Sequence, residues 1–124
     1  MTDANVSLQI LYIPALAAKD KVPECMVLKD TNEVIGDPFM PPFAPGKLIC
    51  ELPPSHSLIY NKFHYVKNHL LIITKEFEDQ FSSLTCEDWN QALLMIKTLK
   101  GMIFFNGGNN AGYSQRHKHM QVLP

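Results

Sequence analysis

The sequence has little that would tie it to a metal framework, a disulfide scaffold or a membrane. Its three cysteines, Cys25, Cys50 and Cys86, form no CxxC pair. An odd number in a short chain argues for reduced thiols and against both frameworks. No apolar run reaches the roughly 18 residues of a membrane-spanning helix. The stretch from Val6 to Ala18 is broken by Gln9 and Pro14, and Asp3 stands where a secretory leader needs basic residues. A cytoplasmic protein with no membrane partner is the expectation. Charge of one sign is also lacking, since 11 Lys and Arg against 12 Asp and Glu leave a net of -1. Without a global positive field, nucleic acid is not an expected partner, and any anionic ligand must be held locally. Internal repeats and low-complexity tracts are absent too. What is there is ordinary: 124 residues, 46% hydrophobic and 19% charged, enough for one globular domain over 1–124 with one core.

Lys47 to Leu52, Ser57 to Phe63 and His69 to Lys75 are β-rich runs separated by short turn signals, and they predict adjacent antiparallel strands. Val6 to Ala17 reads as a strand into Pro14 or a short helix after it, and both readings stay open. From Lys19 to Pro45 the chain is dense in Pro, Gly and acids, a connector or binding loop. A helix starts after Thr85, where a capping hydroxyl precedes Asp88 by three residues and Glu87 and Asp88 load the first turn with negative charge. Trp89, Ala92, Leu93, Ile96 and Leu99 recur at helical spacing, which predicts the Trp89, Leu93 and Ile96 stripe as core. Lys97, Lys100 and Gly101 close the helix. Met102 to Phe105 and His117 to Leu123 complete a sheet of about five strands with one main helix on it, an α+β fold.

The chemistry sits at the end. On a strand, His117, His119 and Gln121 project from one face, about 6 to 7 Å apart between neighbours, while Lys118, Met120 and Val122 face the other way. Just upstream, Asn106 to Ser114 is a nine-residue loop with three Gly and three Asn, whose bare backbone can offer N–H groups to phosphate oxygens. A nucleophile row beside an anion cradle suits phosphoryl or nucleotidyl transfer, which depends on positioning and charge stabilisation.

The segment from Asn106 through His117-Lys118-His119-Met120-Gln121 resembles the active-site signature of the ATP adenylyltransferases, or diadenosine tetraphosphate phosphorylases, of the histidine-triad superfamily. Asp37-Pro38-Phe39-Met40-Pro41-Pro42, Leu58-Ile59-Tyr60-Asn61-Lys62-Phe63 and the run from His69 to Gln80 look like the same family. The resemblance implies a histidine-triad-like fold and adenylyl transfer between diadenosine tetraphosphate, phosphate, ADP and ATP. His119 would be the nucleophile, His117 its supporting neighbour and Gln121 a donor to an α-phosphate oxygen. Asn61 and Lys62 would contact the nucleotide, while Asn106, Ala111, Gly112, Tyr113 and Ser114 would cradle the polyphosphate, with His69 buttressing the row from behind. No resident cofactor is implied beyond a divalent cation accompanying the nucleotide, and superfamily members often form homodimers. The chain departs from the family at Tyr113, where many relatives carry a small residue, and in length, for family members are expected to be about twice as long. A nucleotide-binding form without turnover, a fragment unable to fold alone and a histidine-triad hydrolase are the alternatives.

Blander readings compete residue by residue. Two histidines on one strand face are commonly a polar pair, and Asn61-Lys62 is commonly a solvated strand end. The Gly- and Asn-rich loop and Gln121 tip the balance towards a site, the loop being too long for a tight hairpin turn. A zinc site from His69, His117 and His119 lacks a suitably spaced carboxylate or thiol. His56 and His64 read as surface residues.

Overall fold

The structure, a computed structural model, describes residues 36–62, 66–108 and 110–124. The expectations for Val6 to Ala17, for His64 and for most of the connector lie outside them. Among the described residues there are five strands and one helix: β1 (Leu48–Leu52), β2 (His56–Tyr60), β3 (Leu70–Thr74), α1 (Cys86–Leu99), β4 (Met102–Phe104) and β5 (His119–Leu123). The sheet is antiparallel throughout, in the order β1-β2-β3-β5-β4. The α+β architecture expected from the sequence is therefore the one observed. β5, last in sequence, lies between β3 and β4.

Each face of the sheet has its own cover. Leu58, Leu70, Ile72, Met120 and Val122 pack against Ala92 and Met95 of α1. On the opposite face Ile59, Leu71 and Ile73 pack with Phe39 from the loop that precedes β1. Burial on both faces explains why β3 reads as an unbroken apolar run, Leu70-Leu71-Ile72-Ile73, rather than an alternation. Full burial of each such side chain contributes about 1.5–3 kcal/mol.

The helix starts as its sequence predicts. Thr85 Oγ1 accepts from the Asp88 backbone N–H, and the Asp88 carboxylate accepts from the Thr85 N–H in return. Its rotation about its own axis differs from the expectation. Trp89 (56% exposed), Leu93 (60%) and Ile96 (42%) face outward, and the buried face is Asp88, Gln91, Ala92 and Met95. Both stripes have helical spacing, roughly a third of a turn apart at 100° per residue. Polar anchors choose between them. Asp88 meets His56 and Lys118 across the sheet, and Gln91 Nε2 donates to the Pro53 carbonyl at 3.0 Å, so the helix must turn this side inward. His56 is thereby buried, not on the surface: Nε2 lies 2.7 Å from Asp88 Oδ1.

Candidate active site

The register of β5 sets out the site. His119 pairs with Ile73 and Gln121 with Leu71 across β3, and paired residues share a face. His117, just before the strand, bridges to Asp79. His119 and Gln121 therefore line the face away from α1, while Met120, Val122 and the buried Lys118 lie on the helix side. Lys118 is the residue whose role the sequence did not disclose. Its ammonium donates to Glu78 Oε2, the Ser83 carbonyl and Asp88 Oδ2, each at 2.9 Å, using all three N–H donors. Burial opposes both charges of the Lys118–Asp88 pair. The hydrogen bonds and attraction outweigh it, holding the Asp88 carboxyl below and the Lys118 ammonium above their ordinary values.

His119 is 5% exposed and its geometry fixes its tautomer. Nδ1 lies 2.8 Å from the His117 backbone carbonyl, an acceptor only, so Nδ1 carries the proton and Nε2 the lone pair. Burial lowers the imidazole below its usual value of 6.5, helped by the nearby His117 and opposed by the carbonyl bond and Asp37. The ring is neutral at neutral pH. His117 Nε2 lies 2.7 Å from the Thr74 carbonyl and 3.0 Å from its hydroxyl, and Nδ1 lies 2.5 Å from Asp37 Oδ2. Phe39 packs on both rings, with centroids 5.8 Å from His117 and 5.1 Å from His119.

Among the described residues no strand flanks His119 on its outer side, because β4 pairs with β5 only from Gln121 onward. Gln80 takes that place. Its Oε1 accepts the His119 N–H at 2.8 Å, and its Nε2 donates to the carbonyls of His119 (3.2 Å) and Asn106 (3.0 Å). One buried amide side chain thus imitates a strand at His119 and draws the start of the Gly- and Asn-rich loop to it. Gly107 sits there because a Cβ would meet the Phe105 ring at 2.4 Å, and Gly108 adopts φ 110°. Farther along, Tyr113 packs edge-on against Phe81 at 5.1 Å, so its phenol ring is engaged with the Phe81 ring. Ala111 and Gly112 lie just beyond Gly108, and Ser114 is exposed between loop and strand.

Asn61 and Lys62 follow β2. The Asn61 N–H donates to the His69 carbonyl at 3.1 Å, and its Nδ2 lies 3.3 Å from His69 Nδ1. His69 precedes β3 four residues from Ile73, roughly 13 Å along the strand, which places it beyond the Gln121 end of the row. Two features escaped sequence reading. Lys47 lies with its ammonium 5.7 Å from the Phe39 ring centre, bonded to the Pro38 carbonyl, and partial burial with Lys62 nearby lowers its pKa against the pull of Asp37. A cavity of about 280 Å³ opens beside it, lined by Phe39, Pro41, Phe43 and Ile73 with Glu51 and Lys75 at its polar side. Ile73 and Phe39 are shared with the histidine row, so cavity and row adjoin. Among the described residues no group of three His, Cys, Asp or Glu could hold a metal ion, and no helix is long and apolar enough to cross a membrane.

Among the described residues, the sheet order and the helix on one face define the class of the protein, an α+β domain. Plasmodium falciparum diadenosine triphosphate hydrolase, solved with cyclomarin A, shares this fold at 16% identity, with a TM-score of 0.51 over 66% of this chain and 63% of that one. Over residues 1–124 the chain matches, and belongs to, the family described as the Ap4A phosphorylase N-terminal domain. It is 32% identical over 127 residues to diadenosine 5',5'''-P1,P4-tetraphosphate phosphorylase 2 of Saccharomyces cerevisiae, covering 92% of this chain and 38% of that protein. The crystal structure of yeast Ap4A phosphorylase Apa2 in complex with AMP superposes with a TM-score of 0.66 at 35% identity, over 70% of this chain and 33% of that one. The same enzyme in complex with Ap4A gives 0.66 at 32% identity, over 70% and 34%. The chain thus spans little more than a third of these relatives, less than the half expected.

Proposed function

We propose that this chain is the adenylyl-transfer domain of a cytoplasmic dinucleoside polyphosphate phosphorylase, working through an adenylylated histidine. The observation that carries the reading is the fixed tautomer of His119, whose Nε2 keeps the lone pair and whose ring packs against Phe39, a wall of the adjoining cavity. Its support from kinship is that relatives covering this chain are named Ap4A phosphorylases and that one of them has been solved with AMP and with Ap4A.

In the first step Nε2 attacks the α-phosphorus, a P–N bond forms, and the P–O bond to the departing ATP breaks with its electron pair leaving on ATP. The Nδ1 proton stays on the ring, donated to the His117 carbonyl, which stabilises the charge the imidazole gains. Inorganic phosphate then attacks the same phosphorus, the P–N bond breaks, and ADP departs with His119 restored. Two displacements on one histidine predict ping-pong kinetics. Gln121 donates to an α-phosphate oxygen and cannot supply a proton to the leaving group, which fits an acceptor such as phosphate better than hydrolysis. The cavity between Phe39 and Phe43 receives a base, Asn61 contacts the nucleotide, and Lys62 with Lys47 faces the phosphates. Asn106 and the run Ala111-Gly112-Tyr113-Ser114 cradle the polyphosphate, and His69 steadies the Asn61 end.

The length comparison favours a second reading, in which this third of the family's chain binds nucleotide without turning it over. One experiment separates the two. Protein mixed with radiolabelled diadenosine tetraphosphate is expected to retain acid-labile label, chased to ADP by phosphate and absent from His119→Ala. Nucleotide binding with no covalent label would establish the binding form, and release of label to water without phosphate would establish a hydrolase.

A further inference from the structure

The Asp37 carboxylate makes two contacts at once, and the adenylyl-transfer reading uses neither. Oδ2 lies 2.5 Å from His117 Nδ1, and Oδ1 accepts the Phe39 backbone N–H at 2.8 Å. Asp37 stands 80 residues before His117, in the loop ahead of β1, so this carboxylate joins that loop to the histidine row. Its side chain is 9% exposed. The His117 ring is held at both ends, by Asp37 on one nitrogen and by Thr74 on the other. The backbone carbonyl of the same residue is the acceptor that sets the His119 tautomer. Phe39, fixed through its N–H, forms a wall of the cavity and packs on both imidazoles.

We propose that Asp37 is a positioning residue that locks the His117–His119 row and the Phe39 wall into one arrangement, acting through His117 on the chemistry and through Phe39 on nucleotide binding. The inference rests on the adenylyl-transfer reading for its kinetic consequence, but the lock itself is a property of the unliganded protein. The charge matters as well as the contact. When His119 Nε2 bonds to phosphorus its ring becomes cationic, and the Asp37 anion, whose field favours the charged form of that ring, offsets the charge.

The two contacts can be separated. In Asp37→Asn the amide oxygen still accepts the Phe39 N–H, but the group facing His117 Nδ1 becomes an uncharged N–H donor. Asp37→Ala removes both contacts. Expected for D37N are nucleotide affinity within about threefold of wild type and an adenylylation rate at least tenfold lower, towards the roughly 10²-fold that a 1 Å misplacement costs. For D37A both should fall. A scaffold role alone would lower stability and affinity together and leave no such split.

The spectroscopic arm needs no turnover. Imidazole ¹⁵N–¹H spectra of the wild type should show a far-downfield proton on His117 Nδ1, as a short bond to a carboxylate requires, and a single His119 tautomer protonated at Nδ1. D37N should lose the first and mix the second. A wild type without the downfield proton, or a D37N protein whose His119 tautomer is unchanged, overturns the proposal whatever the activity. A wild type that shows the lock but takes no label counts against adenylyl transfer and leaves the positioning role supported.

Discussion

Replacing Gln80 with Met tests the most unusual support of the site. Met is similar in size and flexible, so the change removes hydrogen bonds with little change in volume. Gln80 is 0% exposed, and its amide serves three backbone groups: the N–H and carbonyl of His119 and the carbonyl of Asn106. Each buried group left without a partner costs about 1–3 kcal/mol. Carbonyls tolerate loss better than an N–H, and Asn106 lies near the surface, so the total should be about 3 kcal/mol rather than the upper sum. With a urea m-value of about 1.5 kcal/mol/M for a domain of this size, the midpoint should drop by about 2 M at unchanged m. A Gln80→Met midpoint corresponding to less than about 0.5 kcal/mol, the range of ordinary surface changes, would refute the claim that this side chain stands in for a strand.

Two further outcomes follow from the same geometry. His119 is held neutral by burial, so the unfolded chain takes up a proton near pH 6.5 while the folded chain resists until lower pH. Stability should therefore fall as pH drops through 6.5, by at most about 1.4 kcal/mol per pH unit, and level off below the folded value. Urea midpoints between pH 7.5 and 5.5 should shift more for wild type than for His119→Gln, and equal shifts would remove the burial argument. On α1, Leu93→Lys should change stability by less than about 0.5 kcal/mol because the side chain is exposed, whereas Met95→Ala should cost about 2–5 kcal/mol. The reverse order in thermal unfolding would mean that the stripe of Trp89, Leu93 and Ile96 faces the sheet after all.

Local patterns in the sequence specified a good deal. Period-two alternation placed His119 and Gln121 on one face of a strand and Met120 and Val122 on the other, because successive side chains on a strand point to opposite sides whatever the fold. The Thr85 cap and its acidic first turn placed the start of α1, since a helix start is a contact between residues three apart. The Gly- and Asn-rich loop and the pattern around His119 pointed to the family. Tertiary structure decided whatever depended on partners distant in the chain. The stripe of Trp89, Leu93 and Ile96 is the more apolar face of α1, yet Asp88 reaching Lys118 and His56 and Gln91 reaching Pro53 turned the half-polar face inward. Asp37 meets His117 across 80 residues, and Gln80 meets His119 across 39. A spacing carries no trace of such meetings, because a carboxylate or an amide declares its chemistry in the sequence but its partner only when the strands are in register.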